Sequence, residues 1–296
     1  VVLAGCVEHM TRVPMASNME MNGDPYGPWN REHYRRVNQG ISAELIAEEW
    51  GLSRQELDEF SYQSHIRAAD ATGAGHFDRE LVPLPVHMLS RESVPEKTSV
   101  PAAPNGSSED SEEDWFEYDD GIRYDPDLDS MHDLDTVFKD DGVVTAGNAS
   151  QISDGASLLL IMSREKAESL GYEPRARIRA QKSVGVDPTI MLTGPIPATR
   201  EILNDEGMTV DDIDLFEVNE AFASVVLAWQ RELDPDMDKV NVNGGAIALG
   251  HPLGATGGKL MTTLLHELER RDVQIGLQTM CCGGGLGVAT IIDRDV

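Results

Sequence analysis

Basic residues, and lysine above all, are scarce in this 296-residue sequence. Against 52 Asp and Glu it carries 24 Lys and Arg, giving a net charge of −28, and only six are Lys: Lys97, Lys139, Lys166, Lys182, Lys239 and Lys259. That balance repels phosphate backbones and anionic headgroups, which excludes nucleic acid and anionic lipid as partners. Arg in place of Lys, with acid spread along the whole chain, is the composition expected of a halophilic protein. In multimolar salt the Debye length is about 3 Å or less, so self-repulsion is screened and a hydrated acidic surface maintains solubility. An acidic face for a cationic partner is the rival reading, and the even spread of the charge favours the first.

Long apolar runs are missing as well. No stretch approaches the roughly 18 consecutive apolar residues of a membrane span, so a soluble chain with no membrane partner is expected. The three cysteines, Cys6, Cys281 and Cys282, cannot build a disulfide framework, and none has CxxC spacing. With no His-rich cluster either, neither a metal nor a resident cofactor is expected, and a reducing cytoplasm fits best. The start, Val1-Val-Leu-Ala-Gly5, lacks a basic leader and an initiator Met, so it reads as neither a signal peptide nor a natural beginning.

What is present is length and apolar content, 40% hydrophobic, enough for a sizeable core in two domains or one large one. Val1–Ala4 reads as a buried strand ended by Gly5. Helical periodicity appears in Ser42–Trp50 and in Ser53–Ala71, where Ser53 and Glu56 have capping-box spacing; both helices read as amphipathic and surface-lying. Leu81–Val86 reads as a short strand interrupted by Pro83. Residues 90–129, with the run Ser107-Ser-Glu-Asp-Ser-Glu-Glu-Asp114, read as a solvated or partly disordered acidic insertion. From Asp140 the pattern changes. Strands are expected at 154–161, 176–184, 215–217, 275–280 and 287–292, and helices at 163–170 (stopped by Gly171), 198–204, 221–233 and 255–270. That alternation argues for an α/β fold with helices covering the sheet faces.

Two Gly-rich segments carry the chemistry: Asn243-Gly-Gly-Ala-Ile-Ala-Leu-Gly-His251-Pro-Leu-Gly-Ala-Thr-Gly257 and Cys281-Cys-Gly-Gly-Gly285. Each sets an ionisable side chain in a run of backbone amides that a substrate can approach closely and that can face a developing negative charge. His and Cys so placed suggest acyl chemistry at a carbonyl.

These segments, together with Asn219-Glu-Ala-Phe222, Ala4-Gly5-x-x-Glu8-x-Met10, Ala146-Gly-Asn-Ala-Ser150 and Gly185-Val-Asp-Pro188…Gly194-Pro-Ile-Pro197, resemble in order and spacing the signature blocks of thiolases, the acetyl-CoA C-acyltransferases. The matches run almost end to end, sparing only the acidic insertion. The resemblance implies a five-layered αβαβα fold of two related halves, the N-terminal half incomplete. Residues 1–13 and 135–170 would be what remains of that half, 14–134 a loop domain, and 171–296 the C-terminal half.

The resemblance also implies roles. His251 would activate a nucleophilic cysteine and, with Asn219 through a water, stabilise a thioester oxyanion. Cys281 would move the proton at the substrate α-carbon, and the amide of Gly283 would serve a second oxyanion hole, where loss of one donor typically costs about 10²–10³ in rate. Cys282 is read as packing. Ser150, Ala221, Phe222 and Phe138 would line the path of the CoA pantetheine. At Asn38-Gln39-Gly40 the chain departs from the His-Met-Gly with which many thiolases line the acyl pocket. In the family pattern the nucleophile begins a helix ahead of the strand at Val1–Ala4, so it is expected before Val1; Cys6, in the second Gly position of the family's Ala-Gly-Gly turn, is read either as a substitute or, more plainly, as a small residue in a tight place. The function implied is ping-pong transfer of acyl groups between CoA thioesters, cleaving 3-ketoacyl-CoA with CoA or condensing acetyl-CoA units, by a homodimer or homotetramer. The alternative is a truncated, non-catalytic remnant or CoA-binding partner subunit. A decarboxylating ketoacyl synthase fits less well, because that group has a second His where Cys281 stands.

Overall fold

The computed structural model of the chain describes residues 1–23, 26–85 and 115–296. In chain order the elements are β1 (Val2–His9), α1 (Ser17–Asn22), α2 (Pro28–His33), α3 (Gln39–Glu49), α4 (Arg54–Gly73), β2 (Leu84–Pro85), β3 (Trp115–Phe116), α5 (Leu128–His132), β4 (Asp154–Ile161), α6 (Arg164–Leu170), β5 (Arg177–Gly185), α7 (Pro195–Glu206), β6 (Leu215–Val218), α8 (Ala223–Leu233), α9 (Ala246–Leu249), α10 (Thr256–Arg271), β7 (Ile275–Cys282) and β8 (Leu286–Asp293).

The central sheet has the order β5-β8-β7-β6, antiparallel except for the parallel pair β6 and β7. Its inward residues, among them Phe216, Val218, Leu277 and Ile291, join the main core with Ile196, Ile202, Val225 and Trp229 from α7 and α8. Trp229 is fully buried, edge-on to Phe216 at 5.4 Å, and its indole N–H donates to Thr199 Oγ1 at 3.0 Å. Truncating such a side chain costs about 3–5 kcal/mol. Helix α10 lies on the other face of this sheet, through Leu264 and Leu268 against Leu215 and Ile292.

Beyond α10 sits the antiparallel pair β1 and β4. Ser157 Oγ on β4 donates to Ala255 O just ahead of α10 at 2.9 Å, and Glu8 Oε2 on β1 accepts from Gly254 N at 3.1 Å. The described layers therefore run β, α, β, α, four of the five expected. Strand alternation turns Leu3, Val7, Leu158 and Leu160 outward, each at least half exposed. An apolar outward face on a two-stranded sheet is unusual in water.

Three expectations are corrected. Val1–Ala4 is not a buried strand ended by Gly5: β1 runs through Gly5 to His9, and Val1, Val2 and Leu3 are each more than half exposed. Helix α3 is not surface-lying: Gly40, Ser42, Ala43, Glu44, Ile46 and Ala47 are all buried. Glu44 belongs inside because its carboxylate accepts from the amides of Val143 and Val144, both at 2.9 Å. On α4 the buried face is largely polar, including Asp58, Ser61, Ser64 and His65. Nor is the 90–129 segment solvated throughout. Ile122 is buried with Ala68, Ala71 and Phe77, Arg123 N donates to His65 Nδ1 at 3.2 Å, and Gly121 O accepts from Gln151 at 2.7 Å. The acidic run 107–114 lies outside the described residues. Among those described, no helix is long and apolar enough to cross a membrane.

Candidate active site

Asn219 directly follows β6, and its backbone N–H donates to Thr279 O on β7 at 3.0 Å. This puts Asn219 at the carboxyl end of a parallel strand pair, where open α/β sheets present ligand-binding crevices. Asn241, in the left-handed region at φ 45°, clamps that end. Its amide accepts from Val218 N and donates to Val218 O, both at 2.8 Å.

The chain then runs through α9 to Gly250 and His251. Gly250 needs to be glycine on two counts. Its φ is +80°, and a Cβ there would lie 2.2 Å from Ser153 Oγ. The turn is held from both sides: His251 N donates to Gln151 O at 3.3 Å, and Lys259 Nζ reaches back from α10 to Leu249 O (2.7 Å) and Gly250 O (3.1 Å).

His251 is buried, and its Nε2 is 3.3 Å from Asn219 Nδ2. On the other side Nδ1 is 2.6 Å from Thr256 Oγ1. Burial, with the Lys259 charge second, lowers the imidazole to about 4. At neutral pH it is therefore an uncharged base. Among the described residues Asn219 Oδ1 is buried without a hydrogen-bond partner, and Asn219 helps line a cavity of about 10 Å³ with Glu217, Gly250, Thr256 and Lys259. Such a volume is about that of one water. Burial also raises the carboxyl groups of Glu217 and Glu220, which flank the Val218-Asn219 end of the strand.

Cys281 stands near the end of β7 opposite Gly287, two residues beyond the Thr279 carbonyl that holds Asn219. Burial, with Cys282 second, pushes its thiol up to about 12. It is a proton-holding thiol rather than a thiolate. Strand β7 then turns through Gly283, Gly284 and Gly285; Gly284 N is 3.4 Å from Met191 Sδ, and Val186 N donates to Gly285 O at 2.7 Å. A Cβ built on Gly283 would lie 3.3 Å from Gln39 Nε2, so the first residue of α3 faces this turn.

The residues expected to line the pantetheine path are brought together. Ser150 N donates to Ala221 O at 3.0 Å, Ala149 bridges to Phe222, and Phe138 meets Phe222 edge-to-face at 6.0 Å. Cys6, by contrast, sits in β1 with its thiol toward Gly258 on α10, and no hydrogen bond among the described residues links it to His251. Thr256, Lys259, Glu217 and Gln151 were not singled out from sequence. Thr256 lies within the quoted Gly-rich block, but only the fold shows what its hydroxyl touches. Among the described residues no three His, Cys, Asp or Glu side chains converge to hold a metal.

The thiolase N-terminal domain matches residues 1–165, and the thiolase C-terminal domain matches residues 172–294. The chain belongs to the thiolase family. It is 46% identical over 261 residues to an acetyl-CoA acetyltransferase of Chromobacterium violaceum, covering 88% of this chain and 62% of that protein. It is 45% identical over 304 residues to a steroid 3-ketoacyl-CoA thiolase of Mycobacterium tuberculosis, covering 99% and 68%. The chain thus spans roughly two thirds of the length of these curated relatives. Among solved structures, human mitochondrial 3-ketoacyl-CoA thiolase superposes with a TM-score of 0.83 at 35% identity, covering all of this chain and 72% of that one. Bacillus anthracis acetyl-CoA acetyltransferase gives 0.82 at 37% identity, covering 99% and 71%. The thiolase fold is shared with both.

Proposed function

We propose that the chain carries the acid–base machinery of a CoA-dependent acyltransferase that cleaves 3-ketoacyl-CoA with CoA, or condenses acetyl-CoA units in reverse. The acyl group is carried by a cysteine thiolate that the family pattern puts ahead of Val1. His251 Nε2 takes the proton of that thiol, and the thiolate attacks the substrate's keto carbon. The bond between that carbon and the α-carbon breaks, and the leaving acetyl-CoA carbanion takes the Cys281 proton. Cys281, now a thiolate, accepts the proton of incoming CoA. The CoA sulfur then attacks the acyl-enzyme, releasing acyl-CoA and the original thiolate, which recovers its proton from His251.

One observation carries this reading: an uncharged, buried His251 bonded to Asn219 at the strand end where the proton-holding Cys281 also lies. A thiol near 12 is a poor base at rest but an acid strong enough to quench a carbanion. His251 with Asn219, and the Gly283 amide, would stabilise the two oxyanions. Ser150, Ala221, Phe222 and Phe138 would contact the pantetheine. CoA and acyl-CoA are substrates, and a cytoplasmic homodimer or homotetramer is the proposed setting.

The test is cleavage of acetoacetyl-CoA in the presence of CoA by the protein that includes the nucleophile ahead of Val1, assayed in molar KCl. Cys281→Ala should lower the rate by at least about 10²-fold. Wild-type turnover together with full activity in the variant would refute the Cys281 assignment. A second reading, a non-catalytic CoA-binding partner subunit, draws on the exposed apolar face of β1 and β4. It predicts calorimetric CoA binding without turnover, and turnover by the wild type would exclude it.

A further inference from the structure

We infer that Thr256 is a positioning residue which fixes the tautomer of His251, holding the ring proton on Nδ1 so that Nε2 is left as the unprotonated, basic nitrogen. The inference rests on the reading of His251 as that base.

Three contacts converge there, all buried. Thr256 Oγ1 lies 2.9 Å from Pro252 O and 2.6 Å from His251 Nδ1, while Asn219 Nδ2 lies 3.3 Å from Nε2. A carbonyl oxygen only accepts and an amide nitrogen only donates, whereas a neutral imidazole does one at each nitrogen. Suppose the hydroxyl proton goes to Pro252 O. Then Oγ1 offers a lone pair, Nδ1–H donates to it, and Nε2 accepts from Asn219. Every contact holds one hydrogen.

In the opposite arrangement the hydroxyl donates to Nδ1 and Nε2–H donates to a flipped Asn219 Oδ1. That leaves two oxygens, Thr256 Oγ1 and Pro252 O, facing each other at 2.9 Å with no hydrogen between them. It also aims the ring proton where the thiol proton must arrive. Placement in the fold makes the first arrangement durable. Thr256 is the first residue of α10 and is 1% exposed, so its back-bond to the residue four positions earlier is shielded from water. When Nε2 takes a proton, the cation's Nδ1–H keeps the same acceptor and the ring stays in place, while the Asn219 amide, whose N–H would then face another donor, turns its Oδ1 toward Nε2.

The test combines ¹⁵N NMR of histidine-labelled protein with steady-state kinetics. Wild type should show the Nδ1–H tautomer at His251. Thr256→Val, which keeps the shape and removes the hydroxyl, should give a mixed or Nε2–H signal and lower kcat by roughly 10²-fold with KM little changed. Thr256→Ser should recover the wild-type signal and most of kcat. A wild-type Nε2–H tautomer, or a folded Thr256→Val with unaltered signal and kcat, overturns the inference. If Thr256→Val does not fold, the wild-type tautomer and the Thr256→Ser kinetics decide. If the protein that includes the nucleophile ahead of Val1 is inactive yet shows the Nδ1–H tautomer, the acyltransferase reading falls and the placement stays intact.

Discussion

Replacing Gly40 by Ala sets two effects of opposite sign against each other. Gly40 lies in the first turn of α3, and Gly→Ala within a helix ordinarily stabilises by up to about 1 kcal/mol. Here, however, a Cβ would sit 2.2 Å from Phe138 Cγ and 2.3 Å from each Cδ. Carbon atoms pack at about 3.5–4.0 Å, so the ring must retreat by more than an ångström. Overpacking of this kind costs about 1–3 kcal/mol, and losing the edge-to-face contact with Phe222 adds about 0.5–1.5 kcal/mol. Steric cost wins, and Gly40→Ala should lower the melting temperature by several degrees. Because the displaced ring lies on the proposed pantetheine path, KM for CoA should rise more than kcat falls. The decisive comparison is in a Phe138→Ala background. With the ring gone only helix propensity remains, and Gly40→Ala should become neutral or stabilising. A destabilisation of equal size in both backgrounds would refute the reasoning.

Two further outcomes are expected. The active form of His251 is the uncharged ring, and burial and Lys259 lower its pKa to about 4. Activity should therefore persist as pH falls below 6.5 and be lost only near 4, and Lys259→Met should move that limb upward. An acid limb near 6.5, with circular dichroism showing an intact fold, would contradict the assignment. The net charge of −28 predicts a melting temperature that climbs between 0.1 and 1 M KCl, where the Debye length shrinks from about 10 to 3 Å. Sucrose serves as the uncharged control, and no dependence on KCl beyond it would remove the electrostatic reading of the composition.

Local chemistry was legible wherever one segment carries its own instructions. Ser53 and Glu56 form the reciprocal capping box their spacing announces, and Gly171 ends α6 in the left-handed conformation. Asn219 and His251, 32 residues apart in two separate blocks that the resemblance pairs through a water, lie in direct contact at 3.3 Å. Features set by distant partners were not legible. Ser42–Trp50 reads as a surface helix from its amphipathic periodicity, yet it is largely buried, and the Glu44 carboxylate satisfies amides about 100 residues away. The segment after the acidic run reads as more of the same, because its anchors are few and diluted among charges: the Ile122 side chain, the Tyr124 hydroxyl against Thr72, and backbone atoms of Gly121 and Arg123. Thr256 looks like an ordinary first helical residue until the turn before it brings Nδ1 within 2.6 Å.

Why this site should rest on buried polar groups rather than apolar packing follows from Glu220, next to Asn219. Its Oε2 accepts from Ser64 Oγ (2.7 Å) and Ile247 N (3.1 Å), and its Oε1 accepts from Asn241 Nδ2 (2.9 Å). Ser64 Oγ in turn accepts from Gly245 N at 3.0 Å. Burial pushes the carboxyl upward and these donors pull it back, a costly balance for a group 1% exposed. An apolar side chain would remove the cost of the charge but strand three buried donors at about 1–3 kcal/mol each. More importantly, it would leave geometry to shape fitting alone, which tolerates small shifts that directional bonds do not. The carboxylate ties α4, the end of β6 and the loop into α9 to one point. Those are the pieces that set Asn219 and the turn carrying His251, so the directional network fixes a contact whose chemistry depends on tenths of an ångström.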